Sequence, residues 1–294
     1  MLNTLLYFFI FLFSLPQIFL LHAEPNPSSP PPPPLSHYIL VSVAPHRFFV
    51  QKIAGDNVEV GLMVPAGASA HTYEPSPKQM IAAGKADIWF RIGETFENKA
   101  AASLQAHHES LQIIDLRRNL DLISDPTHAC CHHKDCMDLH FWLSPRQARI
   151  QAQTIADTLI ATYPEHAQLY RDNLVKFTQE LDKLDQQIIA ILEPLQNRTV
   201  MISHPAYGYF ARDYDLEQLS IEFEGKDPTP QQLTRILESA RKAHITTIFV
   251  QPQYSNKGAA LIAREIGAEV VSLDPYSENY DAVMLDIARH FANQ

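Results

Sequence analysis

PEHAQLYRDNLVKFTQELDKLDQQIIAILEP, Pro164–Pro194, is the stretch on which the fold turns. Tyr170, Leu174, Phe177, Leu181, Leu184, Ile188 and Ile191 recur at alternating steps of four and three. That spacing draws one apolar stripe along a helix. Pro164 can occupy a first helical turn, where a missing N–H costs nothing, and Pro194 stops the helix. At 1.5 Å per residue the segment 164–193 spans ~45 Å. A stripe of this kind also suits a coiled-coil dimer. The sequence on either side favours a helix packed inside a monomer.

On both sides, short apolar runs alternate with helical stretches. Before the helix come YILVSV (38–43), VEVGLMV (58–64), ADIWFRI (86–92) and LQIIDL (111–116). After it come TVMIS (199–203), LSIEF (219–223), TTIFV (246–250) and AEVVSL (268–273). Most are nearly continuous in apolar residues, as strands covered on both faces must be. Segments such as PSPKQMIAAGKA and TPQQLTRILESARKA lie between them and read as helices. Strand–helix alternation predicts an α/β fold with parallel sheets. The expected architecture is two lobes, 37–163 and 194–294, joined by one rigid helix over 164–193.

The chain has 294 residues, 46% of them hydrophobic, enough for two cored lobes. Its 23 Lys+Arg against 33 Asp+Glu give a net charge of −10 with no basic cluster, which argues against nucleic acid as a partner. Leu5–Leu21 is an apolar run closed by LHAEP. It reads as a signal peptide, residues 1–23, cut after Ala23; an uncleaved anchor is the other reading. No cysteine lies near Ala23, so no bacterial lipid anchor is expected there. Either reading puts the remainder outside the cytoplasm. EPNPSSPPPPPLS, residues 24–36, reads as a stiff polyproline linker.

Four residues stand where chemistry is expected. His204 directly follows TVMIS, and Asp274 directly follows AEVVSL. His71 lies in the loop after VEVGLMV, and His140 lies just before Ser144-Pro145, a helix-start signal. In open α/β sheets, ligands bind beyond the carboxyl ends of strands. Two residues from each lobe can therefore meet in the cleft. Taken singly, each has a plain alternative: an exposed loop histidine, or for Asp274, before a proline, a turn residue. Three imidazoles and a carboxylate suit Zn²⁺, with Mn²⁺ or Fe²⁺ as alternatives. Four protein ligands leave no position for an activated water, which points to binding rather than catalysis. The remaining histidines outside the cysteine-bearing stretch, among them His37, His46 and His166, read as surface or core residues.

The motifs HTYEPSP with His71, DLHFWLSP with His140, SHPAYGYFARDYDL with His204, GKDPTPQQL, and IFVQPQYSNKGAALIAREIGAEVVSLDP with Asp274 resemble one family over nearly all of the chain from Tyr38. It is the ZnuA/TroA-like group of zinc/manganese substrate-binding proteins of bacterial ABC importers. The resemblance implies two α/β lobes on a backbone helix, with the metal held between them by His71, His140, His204 and Asp274. It also implies a periplasmic protein that delivers its ion to an ABC permease in the inner membrane. Manganese-type members generally carry a carboxylate where this chain has His204, which favours zinc. In some zinc-type members, water or a nearby Glu takes the place of the Asp.

Zinc-type members often carry a His-rich acidic loop ahead of the second ligand histidine. THACCHHKDCMD (127–138) holds that place here and contains all three cysteines of the chain. His128, His132 and His133 are expected to form a secondary capture site. Cys136 can pair with Cys130 or Cys131 in an oxidising compartment, or the thiols can themselves bind zinc. Two other function classes stay open: a secreted zinc hydrolase, for which Glu74 and Glu224 are the carboxylates to test, and an adhesin projected on the proline linker. No HExxH motif supports the hydrolase.

Overall fold

A computed structural model describes residues 37–124, 137–222 and 228–294. The leader, the proline stretch, Glu224, and the loop residues His128, Cys130, Cys131, His132, His133 and Cys136 lie outside the described residues.

The first sheet contains β1 (Tyr38–Val41), β2 (Glu59–Leu62), β3 (Ile88–Arg91) and β4 (Gln112–Asp115) in the order β2-β1-β3-β4, all parallel. The second contains β5 (Thr199–Ile202), β6 (Glu217–Ser220), β7 (Thr247–Val250) and β8 (Glu269–Ser272) in the order β6-β5-β7-β8, again all parallel. The two lobes thus repeat one topology, and the α/β expectation holds. The central strands explain the apolar runs: Ile39, Leu40, Val41, Ile88, Trp89 and Phe90 are all buried. One predicted strand was misplaced. LSIEF is set two residues too late: β6 runs Glu217–Ser220, so only Leu219 and Ser220 of that run pair, opposite Met201 and Ile202. Ile221 is apolar because it packs into the core beyond the strand end. As an edge strand, β6 needs little apolar content of its own.

Helices α1 (Ala44–Ala54), α2 (Pro77–Ala83), α3 (Thr95–His107) and α4 (Pro145–Thr162) precede the long helix α5 (Ala167–Leu192). Behind it come α6 (Gly208–Asp213), α7 (Pro230–Lys242), α8 (Lys257–Ile266) and α9 (Tyr280–Ala292). Local chemistry sets several starts. Ser76 and Thr229 each close a capping box, with Gln79 and Gln232, ahead of a proline at the first helical position. Ser144 caps α4 by accepting from Gln147 N at 3.0 Å, ahead of Pro145. Gly267 ends α8 in the left-handed region, with φ 74°.

Pro164 lies in a single 3-10 turn, Pro164–His166, and the α-helix proper begins at Ala167. Its 26 residues give a length of ~39 Å. Tyr170, Phe177, Leu181, Leu184, Ile188 and Leu192 are its buried ridge, packed against α1 and α4 on one lobe and α9 on the other. Burial of each such side chain stabilises by roughly 1.5–3 kcal/mol. One apolar cluster therefore runs from the first sheet through α5 to the near face of the second sheet. A smaller cluster fills the other face, between the second sheet and α7 and α8. Val200 and Ile202 face the first and Met201 the second, the alternation expected along a strand.

Candidate metal site

His204 sits two residues beyond β5, where the chain turns out of the sheet toward α6. His71 sits in a 3-10 turn, Ala70–Thr72, beyond β2. His140 precedes the 3-10 turn Phe141–Leu143 that leads into α4. Tyr209 and Tyr280, from the second lobe, hold this segment: the Tyr209 hydroxyl donates to Asp138 O at 2.7 Å, and the Tyr280 hydroxyl to Trp142 O at 2.7 Å. Trp142 Nε1–H in turn donates to Pro275 O at 2.9 Å.

The three rings converge. Their centroids are 5.0 Å apart for His71 and His140, 5.1 Å for His71 and His204, and 5.3 Å for His140 and His204. One donor nitrogen from each lies within 4.8 Å of the others. Each ring also meets a carboxylate through Nδ1: His71 with Glu94 at 2.8 Å, His140 with Asp138 at 2.8 Å, and His204 with Glu222 at 3.0 Å. A carboxylate on Nδ1 holds the proton there and turns the Nε2 lone pair outward, the arrangement that prepares an imidazole for a metal. His71 Nε2 and His204 Nε2 are 3.2 Å apart. In a tetrahedral zinc site with Zn–N of 2.0–2.1 Å, neighbouring nitrogens are ~3.3 Å apart. His140 Nε2 is fully buried with no hydrogen-bond partner among the described residues. A buried, unpartnered nitrogen is costly unless something binds it. The donor set fits a borderline divalent cation, and its cost would be met on binding.

Asp274 is not brought into this group. It is exposed, and its Oδ1 accepts from Tyr276 N at 2.9 Å and from Gln253 Nε2 at 2.6 Å. That is a turn-forming role for an aspartate before a proline. Glu74 is exposed beside His71 and holds none of the three rings. The carboxylates that do so, Glu94, Asp138 and Glu222, escaped the sequence reading. So did Tyr254, whose ring stacks on His204 at 3.9 Å and 16°. With Trp142 and Tyr276 it forms an aromatic wall. Burial raises the Tyr254 and Tyr276 hydroxyls far above the ordinary phenol range, so both stay neutral.

The sequence model of the family described as ZnuA, zinc-uptake complex component A, periplasmic, matches residues 39–294. The chain belongs to the ZnuA family. A Chlamydia muridarum protein named for metal binding is 34% identical over 261 residues, covering 88% of this chain and 92% of its own. A crystal structure of ZnuA superposes with a TM-score of 0.82 at 36% identity, over 87% of this chain and 98% of that one. The FpvC binding protein of Pseudomonas aeruginosa, solved with Mn²⁺, gives 0.77 at 25% identity over 87% and 97%. The fold and the family agree with a metal-binding role in uptake.

Proposed function

We propose that the chain captures Zn²⁺ outside the cytoplasm and passes it to an ABC permease, with His71, His140 and His204 as its ligands. The observation that carries this is the meeting of three imidazoles, one donor nitrogen from each, with a carboxylate on every Nδ1. Three nitrogen donors favour zinc over manganese, which takes oxygen more readily. The fourth position goes to an oxygen donor. Asp274 can supply it only by leaving its bonds to Tyr276 and Gln253. His71 is the most exposed of the three, with 16% of its side chain accessible. A cavity of ≈ 390 Å³ lies against it, lined by Tyr73, Glu74, Met80, Phe96 and Lys99 among others, and offers a solvated ion its way in. We further propose His128, His132 and His133 as a weak capture site feeding this centre.

The test is zinc titration of the full chain against a chelator of known affinity. Single replacement of His71, His140 or His204 by Ala abolishes the tight site on this reading, while deletion of 128–136 removes only weak binding. Tight binding retained after loss of any one histidine removes that residue from the set. Elemental analysis of protein from its native compartment decides zinc against manganese and iron.

A further inference from the structure

A second group of metal-type donors lies at the other end of β1. His37 immediately precedes that strand, and Glu165 and His166 form part of the turn between α4 and α5. One donor atom from each lies within 4.8 Å of the others. His37 Nε2 is 3.8 Å from Glu165 Oε1, and the two imidazole rings are 6.5 Å apart at 78°. None of the three takes part in the centre described above, which lies beyond the carboxyl ends of the strands.

The backbone here is fixed. His37 O accepts from Glu59 N at 2.9 Å, which anchors it to β2. Tyr38 N and the Tyr163 hydroxyl both donate to Asp87 Oδ2, at 3.1 and 3.0 Å, tying the start of β1 to the end of α4. His166 N donates to Tyr163 O at 3.1 Å. The His37 ring lies against Tyr163 at 4.0 Å, and the His166 ring against Tyr170 at 5.9 Å. The donors thus stand on rigid supports, with side chains long enough to adjust. Closing to the ~3.3 Å donor separation of a tetrahedral site takes small rotations of groups that are partly solvent-exposed.

We propose that His37, Glu165 and His166 form a second, independent site for a borderline divalent cation such as Zn²⁺, completed by water. Two imidazoles and one carboxylate match that class of ion. With 24% of the His37 side chain and 55% of that of Glu165 exposed, the site binds more weakly than the enclosed three-histidine centre. Occupancy pins the start of β1 to the head of α5, so zinc in excess stiffens the first lobe against the linking helix.

The test is calorimetric titration of the full chain with Zn²⁺, continued past the first equivalent, for the parent and for H37A, H166A and E165Q. The weak sites of the cysteine-bearing loop are the same in all four proteins, so the difference between them reads this site. Total stoichiometry is expected to fall by one in H37A and in H166A, with the tight phase unchanged. Glu165→Gln keeps the shape and removes the charge; it is expected to weaken this phase at least about tenfold, as loss of even an outer partner does. Backbone NMR of the parent supplies a measurement free of mutation: signals of residues 37 and 165–166 should shift only after the first equivalent. Unchanged stoichiometry in both histidine variants, or silence of those signals, overturns the proposal and leaves the three-histidine centre untouched.

Discussion

Asp138 offers the sharpest test of how the main site is prepared. Its Oδ1 accepts from both His140 N, at 2.9 Å, and His140 Nδ1, at 2.8 Å, with both residues buried. Asp138→Asn can keep both contacts through its amide oxygen, so what it removes is mainly charge. An ion on His140 Nε2 lies no more than about 7 Å from Oδ1, given the hydrogen bond, the ring and a Zn–N bond. A divalent cation and a carboxylate at that distance attract by about 5 kcal/mol at an effective dielectric of 20 and about 1 kcal/mol at 80. The expected loss for a buried but hydrated site is ~2 kcal/mol, about 30-fold in Kd, within the 10–100-fold range for outer-shell partners. Asp138→Ala also strands two donors and should lose more. Chelator competition at pH 7.5 measures the affinity, and circular dichroism reports whether the fold is kept. Both variants folded and within twofold of the parent in zinc affinity would refute the claim that the carboxylate prepares the imidazole.

Three further outcomes are expected. Zinc and protons compete for the same imidazole lone pairs, so zinc affinity should fall between pH 7.5 and pH 5; equal affinity at the two contradicts three-histidine binding. His46 is fully buried, donates Nε2–H to Gln151 Oε1 at 2.7 Å, and is held by burial down to about 4. Its folded pKa is below its unfolded one, so its contribution is complete above about pH 6.5 and is lost as pH falls toward 4; the change is about 3 kcal/mol, and urea melts of His46→Gln should show a flatter pH profile than the parent. Leu181→Ala, at a fully buried position of α5, should cost about 2–5 kcal/mol in thermal or urea unfolding, whereas Val175→Ala, 57% exposed on the same helix, should cost little.

Much of this was legible in the sequence because it follows from burial. The stripe from Tyr170 to Ile188 marks α5, although the ridge closes on Leu192 rather than Ile191. Eight apolar runs mark the strands, and LSIEF is shifted by two residues because Ile221, a core residue beyond the strand end, reads as part of the strand. His71, His140 and His204 were visible because each follows or precedes an element end. Their carboxylate partners were not, since an outer partner has no fixed spacing from the histidine it holds. Glu222 is instructive: Ile202 pairs with Ser220, so residue 222 lies beside residue 204 in the register. Correct placement of β6 would have revealed it. Asp274 is ambiguous in sequence for a local reason, because a turn and a ligand both favour an aspartate after a strand; here its Oδ1 serves the turn, accepting from Tyr276 N and Gln253 Nε2. His37 and His166 are far apart in sequence, and only the packing of β1 against the α4–α5 junction unites them.

The central claim is that one cation is gripped from both lobes by three imidazoles. A zinc-edge anomalous difference map from crystals of the zinc-loaded chain tests it directly. The strongest peak should lie 2.0–2.1 Å from the Nε2 atoms of His71, His140 and His204, at about the distance zinc takes to imidazole. No peak among those three nitrogens, with zinc bound tightly elsewhere, contradicts the account.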